Sequence, residues 1–472
     1  MSFHRLQKCN IIALRRRNEM SDTSNRSTFK GKLGFVLAAA GSAVGLGNLW
    51  RFPYLAAQYG GGAFLLVYVL LAVTFGFALM VTEIAIGRKT QLSPLEAFGA
   101  LDKRCGWIGK LATIVPVLIY PYYCLIGGWV AKYAFVMISG QVESAAQDNY
   151  FTGFVSSTAS PLLWFGLFIG VTTLVVVLGV NTGIERLSRY MMPALVILTL
   201  GLSGYVITRP GAMLGVKYYL VPNLANLNAK TFLAALGQLF YSMSLAMGIM
   251  ITYGSYFSKD SSIEQATRQI EIFDTLIAFL AGLMIVPAVF IFSGGDQSAL
   301  VTGPSLMFVT LPKVFAGMTG GSFIGSLFFV LVFIAAITSS VSILEAIVSG
   351  LIDSFKLSRL QATLLVSIYG VALGIACSLG FGPWQNIKLF GFDILDFLDF
   401  LSNNVLLPIV GLLTCIVVGF IIKPQAIIDE VEINGSFGLK GFYAIMVKWV
   451  APVCILTILV TSILQGLGIL VI

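Results

Sequence analysis

Eleven apolar stretches, most of 20 residues or more, leave this chain few folds to choose from. They lie near 34–58, 61–87, 107–139, 161–180, 185–208, 231–257, 269–293, 322–352, 360–381, 395–422 and 442–471. About 20 apolar residues are what an α-helix needs to cross the hydrocarbon of a bilayer. Inside that hydrocarbon backbone amides find no water, so each stretch must satisfy its own hydrogen bonds by coiling. Hydrophobic residues make up 57% of the chain and charged residues only 11%, against about 25% charged in soluble domains. The soluble classes are therefore excluded, and an all-α membrane protein with 11 transmembrane helices is expected.

Lysine and arginine set the orientation, because cytoplasmic loops retain them. With the N-terminus cytoplasmic, 22 of the 29 fall on the inner side. Outside there are only Arg209, Lys217, Lys230, Lys313 and Lys388, while Arg51 and Lys132 lie within spans. An odd number of spans then places the C-terminus outside. This bias also accounts for the net charge of +8, so no nucleic-acid partner is called for; the partner of the basic inner loops is the lipid bilayer itself. Residues 1–30 read as a cytoplasmic tail without the apolar core of a signal peptide, with Met20 an alternative start. The six cysteines, Cys9, Cys105, Cys124, Cys377, Cys415 and Cys454, show no paired spacing, and none falls in an outer loop. Neither a disulfide nor a cysteine metal site is expected.

Two of the spans are interrupted. The first contains Gly41, Gly45, Gly47, Asn48, Arg51 and Pro53, a set that gains nothing from facing lipid, where unpaired backbone and buried charge are costly. Such a segment belongs beside a cavity. Freed carbonyls there can hold a cation, and freed N–H groups at the restart of the helix can hold a carboxylate. The sixth span alternates hydroxyls, methionines and small residues from Ser242 to Gly248. Taken alone, those hydroxyls could bond back to their own helix. Lying five spans after the first break, they fit two five-span halves with a midplane site between them.

The motifs GSAVGLGNLWRFP (41–53), GGGAF (60–64), EIAIGR (83–88), GQLFYSMSL (237–245), ITYGSY (251–256) and AAITSS (335–340) together resemble the neurotransmitter:sodium symporter family. The resemblance covers nearly all of the chain after residue 26. It implies a LeuT-type 5+5 inverted repeat with helices 1 and 6 broken at the midplane, a transport core over 31–423, and a loop and helix 11 over 424–472. A bacterial amino-acid transporter of the plasma membrane is expected, importing its substrate with sodium by alternating access.

By the same resemblance, one sodium is held by Ala43, Asn48, Ser242 and Asp274, all oxygen donors suited to a hard cation. A second is held by the carbonyls of Gly41, Val44 and Ala335 with the hydroxyls of Thr338 and Ser339. Chloride-dependent relatives tend to carry Asn at the Asp274 position with a hydroxyl one turn on. Here Ala278 follows, so no chloride requirement is expected. Relatives that carry monoamines have Asp where this chain has Gly45, which implies a substrate bringing its own carboxylate. That carboxylate would rest on the N–H groups of Leu46 and Gly47 and the Tyr123 hydroxyl, with the substrate amine near Ala43, Tyr241 and Ser244. Ile119, Tyr241, Met247, Ser339 and Ile343 would select a neutral, hydrophobic or aromatic amino acid. Ala246 replaces the usual glycine and could narrow the pocket.

The gates implied are Arg51 with Asp399 outside, lidded by Tyr241, and Arg26, Ser255, Tyr256 and Asp353 inside. Phe29 stands where most relatives have Trp. Gly183 and Pro193 match a motif for unwinding the inner end of the fifth span, and residues 303–321 resemble an outer lid. A channel also uses broken helices and midplane carbonyls. It is disfavoured because the polar groups form a single cluster between charged gates, without a repeated filter motif. An enzyme is disfavoured too: the only histidine is His4, in the tail, and HExxH, GxSxG and GxGD are missing.

Overall fold

The computed structural model describes residues 28–293, 304–466 and 469. These are almost entirely helical, with two isolated β-bridges, Gly61 to Pro222 and Leu389 to Phe392. Among the described residues nine helices are long and apolar enough to cross a membrane. The pair Lys32–Ala43 and Gly47–Gln58, bent by 52°, makes a tenth span. The remaining expected crossing, the sixth in sequence, falls on two shorter helices, Ala229–Ser242 and Ile249–Ser255, on either side of residues 243–248.

The first break follows from its glycines. Helix Lys32–Ala43 ends at Val44, which is extended at φ −74° and ψ 91°, and the chain coils again from Gly47. In the second break Ser244, Ala246 and Gly248 all take positive φ, at 52°, 60° and 72°. Left-handed backbone is costly for residues with a Cβ, so tertiary contacts must hold the first two. Glu83 supplies one of them: its buried carboxylate accepts the Ala246 N–H at 2.6 Å.

Burial separates the centre from the rim. The most apolar part of Gly321–Phe355, the eighth span, is 83% buried, whereas that of Lys440–Gly466, the eleventh, is 28% buried. The inner half of the first span packs against the fifth (Arg186–Ile207), seventh (Ile263–Ser293) and eighth spans, and the two halves of the sixth span pack along the second (Gly62–Thr90). Close approach at the inner half requires Gly254, where a Cβ would come 2.9 Å from the Ile84 Cα. At the inner end Arg88 is fully buried. It donates to Glu430 Oε1 at 2.8 Å, to the Glu430 carbonyl, and to the Ser261 carbonyl at 2.7 Å. This buried pair ties the second span to helix Gln425–Val431 and to the loop before the seventh span.

The fifth span, which carries Gly183 and Pro193, is coiled in this structure. Its inner end is not unwound here: Val180–Glu185 forms a wide helical turn that continues into Arg186–Ile207, with Pro193 inside that helix. A proline within a helix removes one hydrogen bond, and neighbouring turns keep the span coiled. Of the outer lid, the described part from residue 304 is helical over Leu306–Thr310 and Leu311–Ala316; Gly303 lies outside the described residues.

Candidate substrate and sodium site

Between the two breaks lies a cavity of ≈ 370 Å³. From the first span Ala43, Gly45, Leu46 and Gly47 line it; from the third, Ile119 and Tyr123; from the sixth, Tyr241, Ser242, Ser244 and Met247; from the eighth, Ser339 and Ile343. All ten residues expected to contact substrate thus share one wall. Ser42 and Ile249 belong to it as well and were not expected. Ala246 is not among the lining residues, so its methyl does not narrow the pocket. At Gly45 a Cβ would sit 2.7 Å from Ser339 Oγ and 3.1 Å from the Tyr123 hydroxyl, so a side chain there would intrude on both polar groups. Among the described residues the buried hydroxyls of Tyr123 and Ser42 find no hydrogen-bond partner, an arrangement that is costly without a polar ligand.

Beside the cavity the first expected sodium set converges. Asp274, on the seventh span and fully buried, accepts from Asn48 Nδ2 at 2.7 Å and from Ser242 Oγ at 3.0 Å. Asn48 Oδ1 in turn accepts the Gly45 N–H at 3.2 Å. Tyr68, on the second span, completes the cluster: its hydroxyl lies 2.7 Å from Ser242 Oγ and donates to Asp274 Oδ2 at 3.2 Å. Nothing in the sequence reading picked out Tyr68, because a lone tyrosine in an apolar span reads equally as a packing residue. A carboxylate, an amide oxygen and hydroxyls are the hard donors that a sodium ion takes.

The second expected set is arranged differently. Ser339 Oγ reaches the first break, donating to the Ser42 carbonyl at 3.1 Å and to the Gly41 carbonyl at 3.5 Å. Ser244 Oγ also donates to the Ser42 carbonyl, at 3.1 Å. Thr338 Oγ1 bonds to its own helix, at 3.1 Å from the carbonyls of Ile334 and Ala335. A Cβ on Gly41 would stand 3.4 Å from Thr338 Cβ, so the first and eighth spans touch at this level. Val44 follows the same stretch, with its N–H on the Ala40 carbonyl at 2.8 Å.

At the outer gate Arg51 and Asp399 are not in direct contact in this structure. Asn403, one turn along, donates to Asp399 Oδ1 at 2.7 Å, and the Arg51 guanidinium lies 5.1 Å from the centre of the Tyr241 ring. A cation over an aromatic face is held by the ring quadrupole, so each partner has a competing contact. Tyr241 lines both the inner cavity and an outer one of ≈ 350 Å³ that Arg51 and Asn403 share, the place of a lid. At the inner gate Arg26 lies outside the described residues. Ser255 Oγ donates to the Thr252 carbonyl at 2.6 Å, Asp353 accepts the Ser93 N–H at 2.7 Å, and Tyr256 donates to Glu345 at 2.7 Å. Glu345 is also ion-paired with Arg359. Phe29 is buried, with its ring edge-on to Phe35, Tyr253 and Tyr256. Phenylalanine therefore fills this position without loosening the start of the first span.

Residues 26–153 and 155–468 match the sodium:neurotransmitter symporter family. The chain belongs to that family. It is 33% identical over 459 residues to an uncharacterized sodium-dependent transporter of Haemophilus influenzae, covering 94% of this chain and 99% of that one. A Bacillus subtilis sodium-dependent transporter is 36% identical over 439 residues, covering 90% and 95%. Among solved structures, MhsT in complex with L-phenylalanine superposes with a TM-score of 0.84 at 36% identity, covering 93% of this chain and all of that one. The all-α LeuT-type fold expected from the motifs is therefore the observed one. This member of the symporter family is a sodium-dependent, multi-pass membrane transporter and not an enzyme.

Proposed function

We propose that this symporter imports a neutral, hydrophobic or aromatic amino acid together with sodium, by alternating access and without chloride. The observation that carries the reading is the Gly45 position, where the missing side chain leaves the Ser339 and Tyr123 hydroxyls 2.7 and 3.1 Å from where a Cβ would stand, so that both face the cavity rather than a side chain of the first span. A substrate carboxylate in the cavity beside Gly45 would rest on the N–H groups of Leu46 and Gly47, which line it, and on the Tyr123 hydroxyl, next to the Asp274–Asn48–Ser242 cluster. Ile119, Met247, Ile343 and the Tyr241 ring then receive an apolar side chain. The phenylalanine held by MhsT is a ligand of that chemistry. Two sodium sites are proposed, one at Ala43, Asn48, Ser242 and Asp274, the other at Gly41, Val44, Ala335, Thr338 and Ser339. Residues 31–423 form the transport core of an eleven-span protein in a bacterial plasma membrane, N-terminus inside. Arg26, Ser255, Tyr256 and Asp353 close the inner end, and Arg51 and Asp399 close the outer end in a further closed state.

The test is uptake by proteoliposomes under an imposed sodium gradient, run for the twenty amino acids, with equilibrium binding of the best substrate to Gly45→Asp. Uptake that requires sodium and saturates with a neutral amino acid is expected. The aspartate should weaken binding at least about tenfold, or ~1.4 kcal/mol. Undiminished affinity in the variant would overturn the carboxylate pose, and uptake indifferent to sodium would overturn the coupling.

A further inference from the structure

A second recess lies away from the transport site, at the end of the third span. It is an open groove of ≈ 1270 Å³ between helix Pro94–Leu101, the start of Gly106–Ile138 and the end of the eighth span. Lys103, Trp107, Lys110, Ile114 and Val117 line one of its walls. Their spacing of three or four residues puts them on one helical face. The face is graded: two exposed lysines and a tryptophan 54% exposed come first, then Ile114, 44% exposed, and Val117. Lys103 and Lys110 are seven residues apart, roughly 10 Å along a helix. Across the groove stands Phe355, 65% exposed. One carboxylate, Glu96, also lines it and is engaged by the Ser354 hydroxyl at 2.5 Å. Arg104, beside the groove, is taken up by Asp102 at 2.8 Å.

Cationic ammonium groups interleaved with an amphipathic ring, then aliphatic surface, is the order of chemistries met on passing from headgroups into acyl chains. Basic recesses between spans hold anionic headgroups. We propose that this groove binds an anionic phospholipid, its phosphate between Lys103 and Lys110, its glycerol region on Trp107 and one acyl chain along Ile114, Val117 and Phe355. The proposal rests on the reading of orientation above only for the leaflet concerned, the cytoplasmic one. Because Phe355 and Ser354 end the eighth span, which bears Ala335, Thr338 and Ser339, the lipid would brace the helix that carries three of the five residues of the second sodium set.

Binding is tested on the delipidated full-length protein in detergent, where sidedness plays no part, by native mass spectrometry and thermal shift. The probes are phosphatidylglycerol, phosphatidylcholine of the same chains, and sodium phosphate. Wild type should retain phosphatidylglycerol about fivefold or more over phosphatidylcholine. Lys103→Gln with Lys110→Gln should abolish that preference, Lys103→Arg with Lys110→Arg should keep it, and Lys259→Gln with Lys423→Gln, exposed lysines outside the groove, should leave it intact. Trp107→Ala should weaken retention of both lipids. Equal retention of the two lipids by wild type, or a preference surviving the groove glutamines, would overturn the proposal. Protection by phosphate alone equal to that by phosphatidylglycerol would overturn it as a lipid site. Amino-acid binding in sodium, measured on the same samples, reports separately on the transport reading.

Discussion

The two proposed sodium sites are built on opposite plans. The first joins four spans through side chains: Asn48, Tyr68 and Ser242 all converge on one buried carboxylate, at 2.7 to 3.2 Å. The second joins only the first and eighth spans, and none of Gly41, Val44, Ala335, Thr338 and Ser339 is ionisable. Its Thr338 hydroxyl already has partners on its own helix. A cluster of the first kind is part of the scaffold, because removing its centre strands every group around it. The second can gain or lose an ion with little disturbance to its surroundings, which suits a site whose occupancy shifts the balance between conformations. Each of the three experiments below either sharpens this contrast or breaks it.

Asp274→Ala carries the largest expected effect. It takes the carboxylate acceptor from the buried Asn48 amide and the Tyr68 and Ser242 hydroxyls, leaving Asn48 only the backbone carbonyl of residue 274 at 3.3 Å and the two hydroxyls only each other at 2.7 Å, and each buried hydrogen bond lost without replacement costs about 1–3 kcal/mol. Stability should fall by about 3 kcal/mol or more, and sodium-driven uptake should fall at least about 100-fold, as ~2.7 kcal/mol of lost ion binding implies. Denaturant unfolding and proteoliposome uptake measure the two effects. Should the variant transport within threefold of wild type, the first cluster would be scaffold alone and the contrast would fail.

Thr338→Ala is expected to separate the sites. The lost hydroxyl served carbonyls that keep their helical N–H partners, so the change in stability should stay within about 0.5 kcal/mol. The sodium concentration for half-maximal uptake should nonetheless rise roughly three- to tenfold, equivalent to ~0.7–1.4 kcal/mol. An unaltered sodium dependence would remove Thr338 from the ligand set and leave the second site to backbone carbonyls and Ser339.

The contrast also marks what a sequence can carry. Both breaks were legible because glycine, proline, an amide and hydroxyls within apolar stretches have few uses other than lining a cavity. The lining residues follow once the breaks are aligned by motif, and all ten lie on one wall. Tyr68 was not legible, since its role depends on a contact with Ser242 that lies 174 positions away. The Arg88–Glu430 pair, 342 positions apart, escaped for the same reason: a charge near the end of a span looks like any inner-loop residue until its partner is brought to it. The separation of Arg51 from Asp399 in this structure was not legible either. The residue types were right for an ion pair, but Asn403 and the ring of Tyr241 compete for them at close range, and that competition depends on geometry alone.

The smallest expected effect is none at all, and it tests the origin of the counter-charge. In a site of low dielectric a sodium ion needs a negative partner close by. Asp274 supplies one as a fixed charge, whereas a site with a neutral residue there would have to recruit an anion from solution. At position 278, one turn on, the seventh span offers no hydroxyl for such an anion, because Ala278 is buried and apolar. A chloride bound beside the ionised carboxylate would repel it, at a cost of about 4 kcal/mol for like charges 4 Å apart at an effective dielectric constant of 20. Replacing chloride by gluconate should therefore leave the initial uptake rate of the wild type unchanged. Asp274→Asn combined with Ala278→Ser removes the fixed charge and adds a donor, so that variant should be inactive in gluconate and regain part of its rate in chloride. A wild-type rate that collapses in gluconate would contradict the role given to Asp274. A double variant fully active in both media would mean that another buried carboxylate balances the ion, and Glu83, held against the second break by the Ala246 N–H, is the group then to be replaced.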